Sequence, residues 1–162
     1  MKIILVNPLI PQNTGSIGRV CAAMGTELIL VEPLGFKLED RYLKRAGLDY
    51  WPWIKLRVFP SWEALEGEVS GRRWLFSARA RRSYCDVEYR EDDCLVFGSE
   101  TDGLPDTILE SLPAEQRIHI PIENPNVRSI NLAQCAAVGL CEARRQVGFP
   151  PHQRRSALLP EH

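Results

Sequence analysis

Short apolar runs alternate along this chain with longer amphipathic stretches, and this alternation restricts the folds that the chain can adopt. The run Lys2–Val6 has the length of a buried strand, and Ile17, Val20 and Met24 then recur with helical spacing. The further strand candidates are Leu28–Val31, Ile54–Phe59, Trp74–Ser77, Cys94–Phe97 and Arg117–Ile120, and the further helix candidates are Leu38–Arg45, Trp62–Val69, Asp106–Leu112 and Ile130–Val147. This order predicts an α/β fold, in which a mostly parallel sheet carries helices on both faces.

The first helix has recognisable signals at both ends. Asn13 or Thr14 can cap its beginning, because a short polar side chain accepts a hydrogen bond from an amide of the first turn. Gly25 is placed to end the same helix. Farther along the chain, we expect Ile54–Phe59 to be an edge strand.

The length of 162 residues fits one domain, which we expect to span residues 1–150 and to be followed by a loose tail at residues 151–162. The apolar run Ile3–Val6 is far shorter than the roughly 20 residues that a membrane span needs. The run also lacks the longer apolar core and the cleavage site of a signal peptide. We therefore expect a cytoplasmic protein with no membrane partner.

Charge and cysteine content exclude several classes of function. The 20 Lys and Arg residues nearly balance the 21 Asp and Glu residues, so the net charge of −1 does not indicate a nucleic-acid partner by itself. The five cysteines form an odd set without a C-x-x-C pair, and the three histidines are scattered. Neither a disulfide framework nor a metal site is therefore predicted. Cys135 and Cys141 lie in an apolar helical pattern and are expected to be small core residues.

Three loops of unusual composition follow predicted strands, at the sheet edge where open parallel sheets bind ligands. They are residues 7–19, 97–105 and 120–132. Gly15 and Gly18 lack the spacing of a dinucleotide fingerprint, and the P-loop separation of Gly98 and Gly103 is not followed by Lys-Ser/Thr. Gly98 and Gly103 either let a planar ligand approach the backbone closely or serve only as turn glycines.

In combination, these loops resemble the three signature motifs of the SPOUT RNA methyltransferases, a family with a trefoil-knotted cofactor site. The resemblance runs from Ile3 to about Pro150. Within this family the chain is similar to the small tRNA 2′-O-methyltransferases that modify the wobble nucleotide. The segments that carry this similarity are Ile10–Gly15, Val31–Phe36, Arg45–Tyr50, Phe97–Pro105 and Arg128–Leu132. The resemblance also implies a C-terminal trefoil knot, which the strand pattern alone does not predict.

The cofactor that the resemblance implies is S-adenosylmethionine. The family's pocket residues correspond here to Ala78, Gly98, Ser99, Gly103, Ile120, Ile122, Ser129 and Asn131. Main-chain amides can read the edge of a purine, and apolar walls supply most of the burial, so this set is chemically suited to an adenosine.

The reaction that the resemblance implies is transfer of the sulfonium methyl group to a ribose 2′-oxygen. The family's catalytic residues correspond here to Asn13, Arg19, Glu100, Ser129 and Asn131. Because a guanidinium stays protonated in proteins, we expect Arg19 to contact the phosphate or the 2′-oxygen and to stabilise the developing alkoxide.

Basic and aromatic side chains are candidates for contacts with a tRNA anticodon stem-loop. One basic group, expected around a single strand end, is Arg72, Arg73, Arg79, Arg81 and Arg82, and a second on one helix is Arg41, Lys44 and Arg45. Each of these residues can equally belong to a solvated face. Trp51 and Trp53 either stack on a base or pack beside Pro52.

The last predicted helix is apolar on two faces. One stripe holds Leu132, Cys135, Ala136, Leu140, Ala143 and Val147, and Ala133, Ala137 and Cys141 make the opposite side apolar as well. Small residues such as Ala133, Ala137 and Gly139 let another helix approach closely. We therefore predict a homodimer through this helix, and the resemblance implies the same interface.

Other functions are compatible with parts of this pattern. A non-catalytic RNA-binding protein that keeps the SPOUT fold is disfavoured, because all five catalytic positions carry the family's residues. An unrelated nucleotide-binding protein is disfavoured by the missing glycine fingerprints. A 2′-O-methyltransferase that acts on another RNA, such as rRNA, fits the same residues and stays open.

Overall fold

Seven strands form one sheet in the computed structural model, which describes residues 1–38 and 50–149. The strands are β1 (Lys2–Val6), β2 (Glu27–Val31), β3 (Leu56–Phe59), β4 (Arg73–Phe76), β5 (Arg82–Ser83), β6 (Cys94–Phe97) and β7 (Arg117–His119). Their order across the sheet is β3-β2-β1-β6-β4-β7-β5, and every neighbouring pair is parallel. The predicted edge position of β3 is confirmed.

Four α-helices lie within the described residues, three between strands and one after the last strand. They are α1 (Pro11–Ala23), α2 (Trp62–Glu66), α3 (Asp106–Ser111) and α4 (Leu132–Val147), and short 3₁₀ turns lie at Trp51–Trp53 and Ala114–Gln116. The predicted α/β class is therefore confirmed. The helix predicted at Leu38–Arg45, apart from its first residue, and the predicted tail lie outside the described residues.

Side chains of the central strands alternate between two buried clusters, one on each face of the sheet. On β1, Ile3 and Leu5 join a cluster that includes Ile17 of α1 and Leu140 of α4. Ile4 and Val6 of β1 point to the other face and join a second cluster with Leu65 of α2 and with residues of α3. Helices thus cover both faces, as predicted, and burial of both sides explains why the central strands are continuous apolar runs.

The start of α1 differs from the sequence prediction. The helix begins at Pro11 with Ile10 as its N-cap residue, so Asn13 and Thr14 lie buried inside its first turns and do not cap it. Proline is favoured at this first position because its missing N–H would have no helical partner there. The predicted end is correct, since Gly25 adopts a φ of 62° directly after the C-cap residue.

The order of the last strands places a late segment of the chain between two earlier ones. β7 lies between β4 and β5, although it follows both of them in the sequence. β5 is only two residues long and was not predicted, because so short a strand carries no periodic signal. The trefoil knot stays a prediction. No helix among the described residues is both long enough and apolar enough to cross a membrane.

Candidate functional site

A cavity of about 330 Å³ opens at the carboxyl ends of β4, β6 and β7. Its walls combine main chain with apolar side chains of residues 76–79, 97–104, 120, 122, 129, 130, 132 and 135. Three adjacent parallel strands end at this edge of the sheet, so the loops that follow them converge there, as expected for ligand sites in open α/β folds. The size and the mixed lining suit a small organic ligand.

The floor of the cavity is an aromatic pair. Phe76 at the end of β4 and Phe97 at the end of β6 stack with ring centroids 4.3 Å apart. Gly139 of α4 lies against them, and a Cβ added there would come within 2.8 Å of the Phe76 ring. Gly139 therefore allows α4 to pack on its own sheet, which corrects the prediction that this residue serves contact with another helix.

The loop that follows β6 closes on itself through its backbone. Ser99 and Gly103 exchange two main-chain hydrogen bonds of 3.1 Å, and Ser99 Oγ accepts a third from the Asp102 amide. A Cβ on Gly98 would lie 1.9 Å from the Gly103 carbonyl carbon and 2.1 Å from the Leu104 nitrogen. Gly98 is thus required by the close approach of the chain's own backbone, whereas Gly103 supplies the left-handed turn with a φ of 70°.

The Glu100 carboxylate joins this loop to the beginning of α1. Glu100 Oε2 accepts a hydrogen bond of 2.8 Å from the Leu9 amide, and Oε1 accepts bonds of 3.1 Å from the Ile10 amide and from Asn13 Nδ2. A carboxylate at this place also meets the positive end of the helix dipole. With three donors on its two oxygens, Glu100 is engaged as an acceptor and holds two loops together.

Asn13 also connects Glu100 to the loop before α4. Asn131 Nδ2 donates to Asn13 Oδ1 at 3.0 Å, and Asn131 Oδ1 accepts from the Ala133 amide as the N-cap of α4. A single chain of hydrogen bonds therefore links the loop after β6, the first helix and the last helix. Asn13 is almost fully buried, so its amide is held in one orientation by a partner on each side.

The structure brings most of the predicted pocket residues together. The residues Ala78, Gly98, Ser99, Gly103, Ile120, Ile122 and Ser129 all line the cavity, and Asn131 lies behind it in the hydrogen-bonded network. Of the predicted catalytic set, Glu100 and Ser129 line the cavity and Asn13 contacts Glu100.

Arg19 lies apart from this cluster. It is on the exposed face of α1, eight residues after Pro11, which corresponds to about 12 Å along the helix axis. Its guanidinium lies over the Tyr50 ring, 4.7 Å from the ring centroid. The predicted catalytic arginine is not among the residues that line this cavity.

The predicted basic cluster divides between the two ends of β4. Arg72 pairs at 2.9 Å with the fully buried Asp93, and Arg73 donates to the Val69 carbonyl, both at the start of the strand. These two arginines lie at the sheet edge opposite the cavity, so the expected grouping of all five arginines around one strand end is wrong. Arg79 follows the strand's end and lines the cavity. The Arg82 guanidinium instead lies 5.9 Å from the centroid of the Trp74 ring, which Arg72 also covers at 4.5 Å. Arg41, Lys44 and Arg45 are outside the described residues.

Two cysteines of α4 have different environments. Cys135 lines the cavity, and burial raises the pKa of its thiol, so the group stays protonated at neutral pH. Cys141 is exposed, which corrects its prediction as a core residue. Cys141, Val138 and Gln134 form an outward face of α4, and Val138 is 40% exposed.

Beyond Ala78, Ile120 and Ile122, sequence reasoning missed the rest of the apolar lining of the cavity. Phe76, Phe97, Leu104 and Leu132 line it, together with the backbone of the loop after β6. Their position at strand or helix ends was the available signal, but in the sequence they are indistinguishable from core residues. Sequence reasoning also missed Tyr50 as the contact of Arg19, because the two residues are 31 positions apart.

The chain is similar to known methyltransferases over nearly its whole length. The family model of the SpoU rRNA methylases matches residues 1–141. A tRNA (cytidine(34)-2′-O)-methyltransferase of Methylovorus glucosotrophus is 46% identical, with 91% of this chain and 96% of the relative covered. The protein of the same description from Escherichia coli K12 is 42% identical, with 93% and 96% covered.

Solved structures give the same picture. One that concerns the 2-OH methylation of C/U34 on tRNA has a TM-score of 0.85 and 44% identity, and the match covers 90% of this chain and 94% of the other. The SpoU methyltransferase AviRb from Streptomyces viridochromogenes, in complex with AdoMet, has a TM-score of 0.79 at 22% identity. That match covers 90% of this chain and 60% of AviRb, and it shows a shared fold.

The two glycines of the loop after β6 should differ in their tolerance of a methyl group. Gly98→Ala forces a Cβ into the Gly103–Leu104 backbone and should lower the free energy of unfolding by about 3 kcal/mol or more. Gly103→Ala meets no atom within 4 Å and should cost only about 1 kcal/mol for its left-handed φ. Urea unfolding of both variants measures the difference, and equal losses would contradict this explanation of Gly98.

The Glu100 network predicts a strong effect of an isosteric change. Glu100→Gln leaves one acceptor oxygen for three donors and turns an NH₂ group toward an N–H, which should cost roughly 1–3 kcal/mol of unfolding free energy. Glu88→Gln, at an exposed position, is the matched control and should change stability by less than about 0.5 kcal/mol. Similar urea midpoints for the two variants would show that the network does not hold the loops.

Proposed function

The chain belongs to the SpoU rRNA methylase family, and we propose that it is a tRNA 2′-O-methyltransferase that uses S-adenosylmethionine and modifies the wobble nucleotide, cytidine or uridine 34. The similarity to the SPOUT RNA methyltransferases predicted from the sequence is confirmed. The observation that carries the proposal is the convergence of the three motif loops on one cavity, in a chain that matches tRNA (cytidine(34)-2′-O)-methyltransferases almost end to end.

The cavity fits the cofactor that this activity requires. Apolar side chains of Leu104, Ile120 and Ile122 provide walls for an adenosine, and the main chain of residues 98–103 provides polar groups at its edge. The cofactor, when bound, supplies an electrophilic methyl group on a sulfonium centre. A thiolate beside that group would compete for it, so the raised pKa of Cys135 keeps a neutral, poorly nucleophilic thiol in the wall.

The polar residues of the site act mainly by holding and orienting. Glu100 and Asn13 fix the loop after β6 against α1, and Asn131 fixes the start of α4 against Asn13. Ser129 is exposed, lines the cavity and precedes the N-cap residue of α4 by two positions. Its hydroxyl is therefore assigned to the cofactor or to the ribose. A site assembled in this way supplies catalysis by positioning, which suits a reaction whose activated group is brought by the cofactor.

Arg19 is assigned to the RNA side of the reaction. Its guanidinium stays charged and offers a planar fork of donors to a phosphate or to the developing 2′-alkoxide. Because Arg19 lies on the exposed face of α1 and does not line the cavity, it is assigned to a cavity other than its own. A second copy of the chain supplies that cavity.

The homodimer is assigned to the outward face of α4. Val138 and Cys141 are exposed on this helix, and the partly exposed Ala133 and Ala137 beside them are small enough for a close helix contact. Within such a dimer, one subunit binds the cofactor and the other presents Arg19 to the same RNA. Arg79, which lines the cavity, and the exposed Arg81 are assigned to the RNA backbone.

Methyl transfer from labelled S-adenosylmethionine tests the proposed function directly. Bulk tRNA should accept one methyl group per reactive molecule, and nuclease mapping should place it on the 2′-oxygen of nucleotide 34. Ribosomal RNA in a parallel reaction should accept none. Methylation of rRNA alone would replace the proposed substrate, and methylation of neither RNA with intact RNA binding would favour a non-catalytic binding protein.

The assignment of Arg19 predicts a selective loss of rate. Arg19→Ala should reduce single-turnover methyl transfer by at least roughly 100-fold, comparable to loss of one stabilising donor at a developing oxyanion. Arg19→Lys should restore little, because an ammonium cannot reproduce the planar fork. Calorimetry should find cofactor affinity nearly unchanged in both variants. A near-normal rate in Arg19→Ala would remove this residue from the mechanism.

The proposed dimer predicts that a charge on the outward face of α4 separates the subunits. Cys141→Arg buries an unpaired cation and should weaken dimerisation at least about 100-fold, or roughly 3 kcal/mol, while the chain stays folded. Glu68→Arg, on an exposed turn, is the control and should leave the dimer intact. Sedimentation velocity measures both variants. A monomeric, fully active unmodified protein would contradict the shared site.

A further inference from the structure

Arg19 and Tyr50 form a stacked pair on the surface of the protein. The guanidinium carbon lies 4.7 Å from the centroid of the Tyr50 ring, well within the range of a cation–π interaction. Tyr50 is 43% exposed, so one part of the ring is open while Arg19 covers another. Nothing in the assigned roles of the cavity residues explains why an aromatic ring lies under this arginine.

The ring is held in place by the turn that follows it. The Trp53 amide donates to the Tyr50 carbonyl at 2.9 Å, and the Ile54 amide donates to the Trp51 carbonyl at 3.1 Å, which closes the 3₁₀ turn. The next residue is tied to β2, since the Leu28 amide donates to the Lys55 carbonyl at 2.9 Å. Tyr50 is therefore anchored to the sheet through a short and fully bonded segment.

The same turn is pressed against α1 beside Arg19. A Cβ on Gly18 would lie 2.8 Å from Ile54 Cδ1, so the absent side chain of Gly18 makes the space that Ile54 fills. Gly18 is the residue before Arg19, and this contact fixes the distance between the helix and the turn at that point. The turn that begins at Tyr50 is thus held beside Arg19 by the Ile54 side chain, which packs against the backbone of Gly18.

Stacking restricts an arginine side chain in a useful way. A free arginine on a helix surface samples many rotamers, and each one that is lost on binding costs conformational entropy. A ring beneath the guanidinium plane limits these rotamers but leaves the N–H donors, which lie in the plane, available to a phosphate or an oxyanion. The stack therefore prepares the donor fork before RNA arrives.

We propose that Tyr50 is a positioning residue for methyl transfer: its ring, fixed by the Ile54–Gly18 contact, holds the Arg19 guanidinium in the orientation that the RNA requires. This inference rests on the proposed role of Arg19 and extends it to a residue outside the cavity. Tyr50 acts through Arg19 and does not contact the reacting atoms.

Substitutions at Tyr50 separate the ring from its hydroxyl. With saturating cofactor and tRNA, Tyr50→Leu should lower the single-turnover rate roughly two- to fivefold, the loss expected for one exposed cation–π contact. Tyr50→Phe keeps the ring and should retain most of the rate. Phe59→Leu is the matched control, because it removes a ring from beneath Arg57, 5.4 Å away, and should leave the rate unchanged. Melting temperature and cofactor affinity should be the same in Tyr50→Leu and Tyr50→Phe.

A double-mutant cycle shows whether Tyr50 acts through the arginine. In an Arg19→Ala background, Tyr50→Leu should have no further effect on the single-turnover rate, because the group that it positions is gone. If the two losses multiply, or if Tyr50→Phe is as slow as Tyr50→Leu, the inference is overturned.

The same cycle distinguishes failure of this inference from failure of the proposed function. A slow Arg19→Ala with a fully active Tyr50→Leu would reject the positioning role alone. A fully active Arg19→Ala would reject the role of the arginine and the inference with it. A loss of cofactor binding in Tyr50→Leu would also overturn the inference, since it would place the effect in the cavity.

Discussion

The hydrogen bonds around the Glu100 carboxylate hold the site in one piece. Three segments far apart in the sequence, at the start of α1, after β6 and before α4, are joined by the hydrogen bonds of Glu100, Asn13 and Asn131. Loops at the ends of parallel strands have few ladder bonds of their own, so their relative positions depend on such side-chain contacts. Every side-chain oxygen of Glu100, Asn13 and Asn131 accepts a hydrogen bond in this network, which keeps the cavity wall in shape. A buried network with unsatisfied polar groups would destabilise the fold more than apolar packing at the same place.

Close packing around the cavity requires glycine at two positions. Gly98 lets two stretches of the same loop pass within contact distance, and Gly139 lets α4 settle on the Phe76–Phe97 pair. The space that a side chain would take at either glycine is filled by other atoms of the protein. Each one allows the protein to pack closely beside the cavity, which keeps the walls rigid and the cavity open.

The sequence predicted the parts of this structure that depend on local pattern. Buried strands such as β1 and β6 are continuous apolar runs. The three loops that follow β1, β6 and β7 were found by composition and by motif. The start of α1 was placed too late because the carboxylate that binds its entry segment is about 90 residues away. Arg72 and Arg73 were grouped with Arg79, Arg81 and Arg82 around one strand end because the sequence does not show that Asp93 binds Arg72 at the opposite sheet edge. Long-range partners of this kind have no local signal.

One helix connects the two halves of the proposed chemistry. Asn13 lies on the buried face of α1 and joins the cavity network, whereas Arg19, six residues later, lies on the exposed face with Tyr50 beneath it. At 100° and 1.5 Å per residue, six residues separate the two side chains by about 120° around the helix axis and about 9 Å along it, so they point in different directions. The different directions of Asn13 and Arg19 agree with the proposed arrangement, in which α1 stabilises its own cofactor site through Asn13 and presents Arg19 to RNA at the cavity of a second subunit.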